Sequence, residues 1–287
     1  MDRLTFVFDL DGVIYRGCEP QPHARETILA LKSQGHIVRF FTNNSANSRQ
    51  TTKLFLESLG IIVSVEEIMT SSYAAALYFV EKNAVGKTVY RIGEQGITEE
   101  LESVGMRVIG DNESPDEHID FVVVGLDRSF TYEKLARGQR AILNGAQFIA
   151  TNQDPTFPIE GNKLLPGGGC MVAALRTATA TEPFLIGKPE TYAFNKILEL
   201  TNTPPERAYM IGDRLDTDIR VGNRAGARSV LVLTGVTSRE DAENASGDFK
   251  PDQIIETLAE LEVAGMEAGH YETEAETGHH ETESRSV

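Results

Sequence analysis

The amino-acid sequence predicts an α/β fold: a doubly wound parallel sheet interrupted by a second, smaller α/β unit. Three observations lead there. Short apolar runs alternate with helical stretches through the first third of the chain, and the same rhythm returns in the last third. Such alternation implies parallel strands joined by crossover helices on both faces. The first apolar run, LTFVFDL, ends in Asp9 as a buried parallel strand would. The middle of the chain carries strands and helices of its own.

Taken in order, Leu4–Leu10 is the first strand. Pro22–Gln34 has helical spacing through Ile28 and Leu31 and stops at Gly35, which accepts the left-handed turn after a helix. Ile37–Thr42 is the next strand. Ser48–Leu59 is a helix ended by Gly60, with Leu54, Phe55 and Leu59 on its apolar side. A short strand near Ile68 and a helix over Ser72–Lys82 follow. The inserted unit offers strands at Thr88–Ile92, Ile119–Gly125 and Gln147–Thr151, alternating with helices near Gln95–Val104, Tyr132–Asn144 and Gly169–Thr179. In the last third, Phe184–Ile186, Ala208–Ile211, Arg228–Leu233 and Gln253–Ile255 read as strands of the main sheet. Helices span Thr191–Thr201, with Phe194, Ile197 and Leu198 inward, and Thr217–Ala225. The expected organisation is a Rossmann-like core from residues 1–85 and 182–265, an α/β cap at 86–181, and a tail at 266–287. That tail, rich in Glu, Thr, Gly and His, is expected to be disordered, its His270, His279 and His280 solvated.

Composition narrows the function. The net charge of -16 argues against nucleic acid as a partner. Six Glu against one Arg after residue 265 supply part of it, yet the body is acidic as well. This fits either a soluble protein kept monodisperse by charge or adaptation to high salt. No apolar run reaches the roughly 18 residues of a membrane helix, and no signal-type segment precedes the first strand, so a cytoplasmic protein is expected. Cys18 and Cys170 are far apart without CxxC spacing, which argues against a disulfide framework or thiolate zinc site. Both read as structural, Cys170 as a small buried residue. Gly167-Gly168-Gly169 lacks the GK[ST] ending of a nucleotide loop and reads as a flexible turn opening a helix. The segment Thr151–Asp154 either faces a substrate or turns before Pro155.

Ligands of a parallel α/β sheet bind beyond the carboxyl ends of its strands. The polar residues standing there are Asp9 and Asp11, Thr42 and Asn43, Lys188, and Asp213. Carboxylates, an ammonium and a hydroxyl gathered on one rim would repel or strain one another without a function. An oxygen-rich set of this kind suits Mg²⁺. In phosphoryl transfer one carboxylate can attack phosphorus, and a second can protonate the leaving alkoxide and then deprotonate water. An ammonium, a hydroxyl and loop amides stabilise the nonbridging oxygens.

These residues lie in FDLDGVIYRG, FTNNS, GKPE and GDRLDTDI, whose order and strand placement resemble the four motifs of the haloacid dehalogenase superfamily of phosphatases. The cap between the second and third motifs resembles the subgroup with p-nitrophenyl, pyridoxal phosphate, phosphoglycolate, nucleotide and sugar phosphatases. The resemblance covers Leu4 to Leu261. It implies Asp9 as nucleophile, Asp11 as general acid/base, and Mg²⁺ held by Asp9, the Asp11 carbonyl and Asp213. It implies that Thr42 and the Asn43 amide, with Asn44 beside them, cradle the phosphate. Lys188 would bridge nucleophile and phosphate, with Asp218 behind them orienting a metal water or Lys188. Asp216 is left over as a helix N-cap beside Thr217. A small phosphate ester as substrate, a cap that closes over the rim and a homodimer through the cap complete the expectation. The rival from another class is a catalytically silent binder or regulator on the same fold. Dehalogenation has no use for Asp11 or a metal, and phosphonate cleavage lacks a cap Lys close after the first motif.

Overall fold

Strands that are apolar on both sides need cover on both faces, and a six-stranded parallel sheet meets that need. The computed structural model describes residues 3–110, 118–159 and 163–261. The sheet order is Gln253–Ile255, Arg228–Val232, Ala208–Gly212, Thr5–Phe8, Ile37–Thr42 and Ile68–Thr70, every pair parallel. Thr5–Phe8 is central: the chain leaves it toward Ile37–Thr42 on one side and returns at Ala208–Gly212 on the other. The crevice at such a reversal is where ligands of these sheets bind.

The period-2 alternation of a strand splits the core in two. Phe6, Phe8 and Phe40 pack on one face with Ile28, Leu31 and Leu56 from the helices Ala24–Ser33 and Arg49–Ser58. Val7, Phe41 and Met210 face the other side, against the helices Ser71–Glu81 and Tyr192–Thr201. This second cluster does not stop there. It runs through Ala75 and Phe79 to Phe121, Val123 and Ile149 of a five-stranded parallel sheet, ordered Phe184–Leu185, Gln147–Ala150, Phe121–Val124, Thr88–Ile92 and Arg107–Ile109. The helix between the sheets is rich in Ala and buried nearly all round, as a helix with two partners must be. The inserted unit is therefore seated on a shared core.

Several sequence expectations change in the fold. The buried stripe of Arg49–Ser58 is Thr52, Phe55, Leu56 and Leu59, the spacing of one helical face, and Leu54 points outward at 57% exposed. Phe184–Leu185 pairs with Gln147–Ala150 at the edge of the second sheet rather than joining the first. The helix expected at Thr217–Ala225 begins with a π-type turn over Leu215–Ile219 before Arg220–Ala225, and Asp216 does not cap it: its carboxylate pairs with Arg214. Cys170 and Cys18 are both exposed. The triple glycine opens the helix Gly168–Thr179, but by tight packing: a Cβ on Gly167 would lie 2.2 Å from Asp154 O and one on Gly169 2.4 Å from Gln153 O. Arg107–Ile109 and the antiparallel hairpin Thr156–Ile159/Lys163–Pro166 are additional elements. Among the described residues no helix is long and apolar enough to cross a membrane. The tail at 266–287 lies outside the described residues.

Candidate active site

Three adjacent strands of the first sheet deliver the site from their carboxyl ends. Asp9 directly follows Thr5–Phe8 and its N–H still donates to Ile211 O at 2.8 Å, so its backbone is locked to the sheet while its side chain stands on the rim. The chain then turns sharply at Gly12, whose φ of +84° favours glycine and whose Cβ would lie 2.5 Å from Asp213 Oδ2. Behind the turn, Tyr15 stacks edge-on against Phe55 at 4.9 Å and donates its hydroxyl to Asp11 Oδ2 at 3.3 Å.

Thr42 ends Ile37–Thr42, and its Oγ1 accepts from Asn44 N at 3.0 Å. The Asn44 side chain turns back on its own loop and accepts from Ala46 N at 2.9 Å, an Asx-type turn. Asn43 is buried, its side chain held by Lys188 and Asp154. Lys188 arrives from the edge of the second sheet, not from a strand of the first. Its Nζ donates to Asp9 Oδ1 at 2.6 Å and to Phe41 O at 3.2 Å, and lies 2.7 Å from Asp218 Oδ1. That last contact is an ion pair off the hydrogen-bonding direction, since Asp218 Oδ1 has no directed donor. Asp218 Oδ2 accepts from Arg214 N at 3.1 Å. Asp213 follows Ala208–Gly212, with Oδ2 accepting from Val236 N at 2.8 Å and Oδ1 buried without a partner.

Asp9, Asp11, Thr42, Asn43, Asn44, Lys188 and Asp213 thus line one cavity, with Asp218 buried against Lys188. They do so against strong electrostatics. Burial raises the Asp9 carboxyl well above its ordinary value, and Asp218 and Asp213 push the same way, more than Lys188 offsets. Burial and Asp218 likewise raise Asp213, to about 7. Burial alone would lower the Lys188 ammonium, but Asp218 and Asp9 outweigh it and hold the proton on. Burial raises Asp11 too, with the Tyr15 hydroxyl and Lys188 opposing.

One ammonium among three carboxylates leaves a deficit of positive charge. Oxygens of Asp9, Asp213 and Asp218 lie within 4.8 Å of one another, and the partnerless Asp213 Oδ1 is among the buried groups. All-oxygen donors in this arrangement fit a hard divalent cation such as Mg²⁺. Both Asp218 oxygens are engaged, Oδ1 by Lys188 and Oδ2 by Arg214 N, whereas Lys188 takes only Oδ1 of Asp9 and Asp213 Oδ1 is unpartnered among the described residues, so Asp9 and Asp213 are the carboxylates with an oxygen left to hold one. Above the rim opens a cavity of about 760 Å³, walled on the inserted side by Leu126, Arg128, Asn152, Asp154 and Phe157. Tyr15 and Asp154 are among the site residues that sequence reasoning left out. The signal for Asp154 was present in TNQD but is equally that of a turn, and Tyr15 carried none.

Comparison with known proteins agrees with this geometry. The family model of the haloacid dehalogenase-like hydrolases matches residues 6–107, and a HAD-hydrolase-like model matches 185–261. The chain is 38% identical over 275 residues to phosphoglycolate phosphatase 2 of Arabidopsis thaliana, covering 90% of this chain and 91% of that protein. It is 39% identical to the 5'-nucleotidase YutF of Bacillus subtilis, covering 89% and 96%. The structure of glycerol phosphate phosphatase Rv1692 from Mycobacterium tuberculosis in complex with magnesium superposes with a TM-score of 0.81 at 35% identity, covering 89% of this chain and 75% of that one.

Proposed function

The chain belongs to the haloacid dehalogenase-like hydrolase family and is a phosphoric monoester hydrolase, and we propose that it works through an aspartyl-phosphate on Asp9 with Mg²⁺ as cofactor. The observation that carries this reading is the Lys188 ammonium, 2.6 Å from Asp9 and 2.7 Å from Asp218 on the rim they share with Asp213. An unpaired nucleophile beside a dianionic ester would be repelled; this one is held next to a fixed cation.

Asp9 attacks phosphorus and the ester P–O bond breaks. The leaving alkoxide takes a proton from the Asp11 carboxyl. Asp11, now ionised, removes a proton from water, which attacks the acyl phosphate and frees Asp9 and inorganic phosphate. Lys188, Thr42 Oγ1 and the Asn43 amide hold the nonbridging oxygens throughout. Asp9, Asp213 and the Asp11 carbonyl would hold Mg²⁺, which would supply the positive charge that lets an anionic nucleophile approach the phosphate. The relatives named for phosphoglycolate, nucleotide and glycerol phosphate all act on small esters, and the cavity walled by Phe157, Leu126 and Asp154 suits compact substrates of that class.

Phosphate release from a panel of such esters, with Mg²⁺ and with chelator, tests the reading. Metal-dependent release is expected, and Asp9→Asn lowers turnover by more than about 10³-fold. Release that persists undiminished in Asp9→Asn refutes the aspartyl-phosphate route. Silence of the unmodified protein across the panel favours a binder on the same fold.

A further inference from the structure

The backbone of Asn43 belongs to the phosphate-binding turn, but its side chain is committed elsewhere. Nδ2 donates to Asp154 Oδ1 and Oδ2, each at 3.1 Å, and to Lys188 O at 3.0 Å. Oδ1 accepts from Lys188 N at 2.9 Å. The Asn43 carbonyl accepts from Asn152 Nδ2 and from Ser71 Oγ, both at 2.8 Å, while Asn152 Oδ1 accepts from Asp154 N at 3.2 Å. Acceptors face the amide nitrogen and a backbone N–H faces the amide oxygen, so the orientation of Asn43 is determined by its partners. There is no slack around it: a Cβ on Gly187 would lie 2.5 Å from Asn43 Oδ1. Asn152 and Asp154 come from the inserted unit, Asn43 from the first sheet, and Lys188 from the segment that crosses between them.

We propose that Asp154 is a positioning residue: through Asn43 it clamps the Lys188 backbone, so that the seating of the inserted unit sets the distance between the ammonium and Asp9. A carboxylate suits this place because it only accepts, matching an Asn43 nitrogen that only donates. Without it the buried Asn43 nitrogen keeps one partner, and Lys188 gains freedom where a misplacement of about 1 Å can cost about 10²-fold in rate. This inference rests on the phosphatase reading above. Asp154 also lines the cavity, so its rival role is a contact to the substrate's leaving group.

The experiment compares Asp154→Ala and Asp154→Asn with the unmodified protein in saturating Mg²⁺. It measures kcat and KM for p-nitrophenyl phosphate, glycerol phosphate and a nucleoside 5'-monophosphate, with inorganic phosphate as inhibitor. Positioning predicts that Asp154→Ala lowers kcat by about 10–100-fold, by the same factor for every ester, and weakens inhibition by phosphate. Asp154→Asn keeps an acceptor for Asn43 and recovers much of the loss. A change confined to KM that differs among the esters makes Asp154 a substrate contact and overturns the proposal. So does a lower urea midpoint with kcat and phosphate inhibition unchanged. Should Asp154→Ala not fold, Asp154→Glu, which keeps the charge but shifts the carboxylate by one methylene, gives the same readouts. An unmodified protein that releases no phosphate defeats the phosphatase reading itself, whereas full kcat in Asp154→Ala defeats only the clamp.

Discussion

Replacing Asp213 with Asn is expected to stabilise the metal-free protein while abolishing its activity. The Asp213 carboxyl is raised from 3.8 to about 7 by burial and by Asp218. A tenfold change in proton affinity corresponds to about 1.4 kcal/mol, so holding this group ionised in the folded state costs on the order of 4 kcal/mol. Below pH 4 the group is protonated folded and unfolded, and there is no cost. Between pH 4 and 7 the unfolded chain ionises first, so stability falls as pH rises; above 7 the full cost is present. Asn has nearly the same shape, keeps an oxygen for Val236 N–H, and turns its donors toward the neighbouring carboxylates. After allowance for about 1–3 kcal/mol of imperfectly satisfied amide, a gain of roughly 1–3 kcal/mol is expected at pH 8 in chelator, and none at pH 4. Urea midpoints of both proteins across pH, with parallel phosphate release in Mg²⁺, make the measurement. A variant at pH 8 that is no more stable than the parent refutes the charge-deficit account of the rim, and retained Mg²⁺-dependent turnover refutes Asp213 as a ligand.

Three further outcomes follow from particular contacts. Asp11→Asn is expected to lower kcat/KM, which reads the transfer of phosphate to Asp9 before Asp11 acts as base, by about 10²–10⁴-fold for glycerol phosphate and much less for p-nitrophenyl phosphate, because nitrophenolate leaves without a proton; equal losses in kcat/KM would remove Asp11 as the acid. Leu56, fully buried against the first sheet, should cost about 2–5 kcal/mol when truncated to Ala, and exposed Leu54 less than about 1 kcal/mol, as read by urea denaturation; the reverse ranking would contradict the helix register. If the acidic composition is an adaptation to high salt, the urea midpoint rises steadily from low to molar NaCl, and a flat response leaves charge with a solubility role alone.

Most of the site was legible before any fold was known. Asp9, Thr42 and Asp213 each end a short apolar run, and a parallel sheet brings such ends together by its own geometry. What the sequence could not supply was the company each residue keeps. Lys188 was expected after a strand of the first sheet; instead Phe184–Leu185 pairs in the second sheet, and Lys188 crosses to Asp9 from there. Thr151–Asp154 reads equally as a turn or a substrate face, and its Asn152 and Asp154 both line the cavity and are tied to Asn43. Leu54 and Leu56 are equally apolar, and only the angle at which the helix meets the sheet decides which is buried. Cys170 sits among apolar residues in sequence, yet its helix turns that side outward.

Local sequence by itself determined most of the elements, the parallel character of the main sheet and the chemical inventory of the rim, because apolar runs, turn residues and the carboxylates after strands are all short-range signals. The tertiary structure alone decided that the two sheets share one core, and of the two roles open to Asp218 it shows the contact to Lys188. It alone placed Asp154 where it can hold Lys188 through Asn43. Those outcomes depend on contacts between separate segments of the chain, some more than 100 positions apart, such as Asn43 with Asp154 and Lys188 with Asp9, and no pattern within either segment encodes its partner.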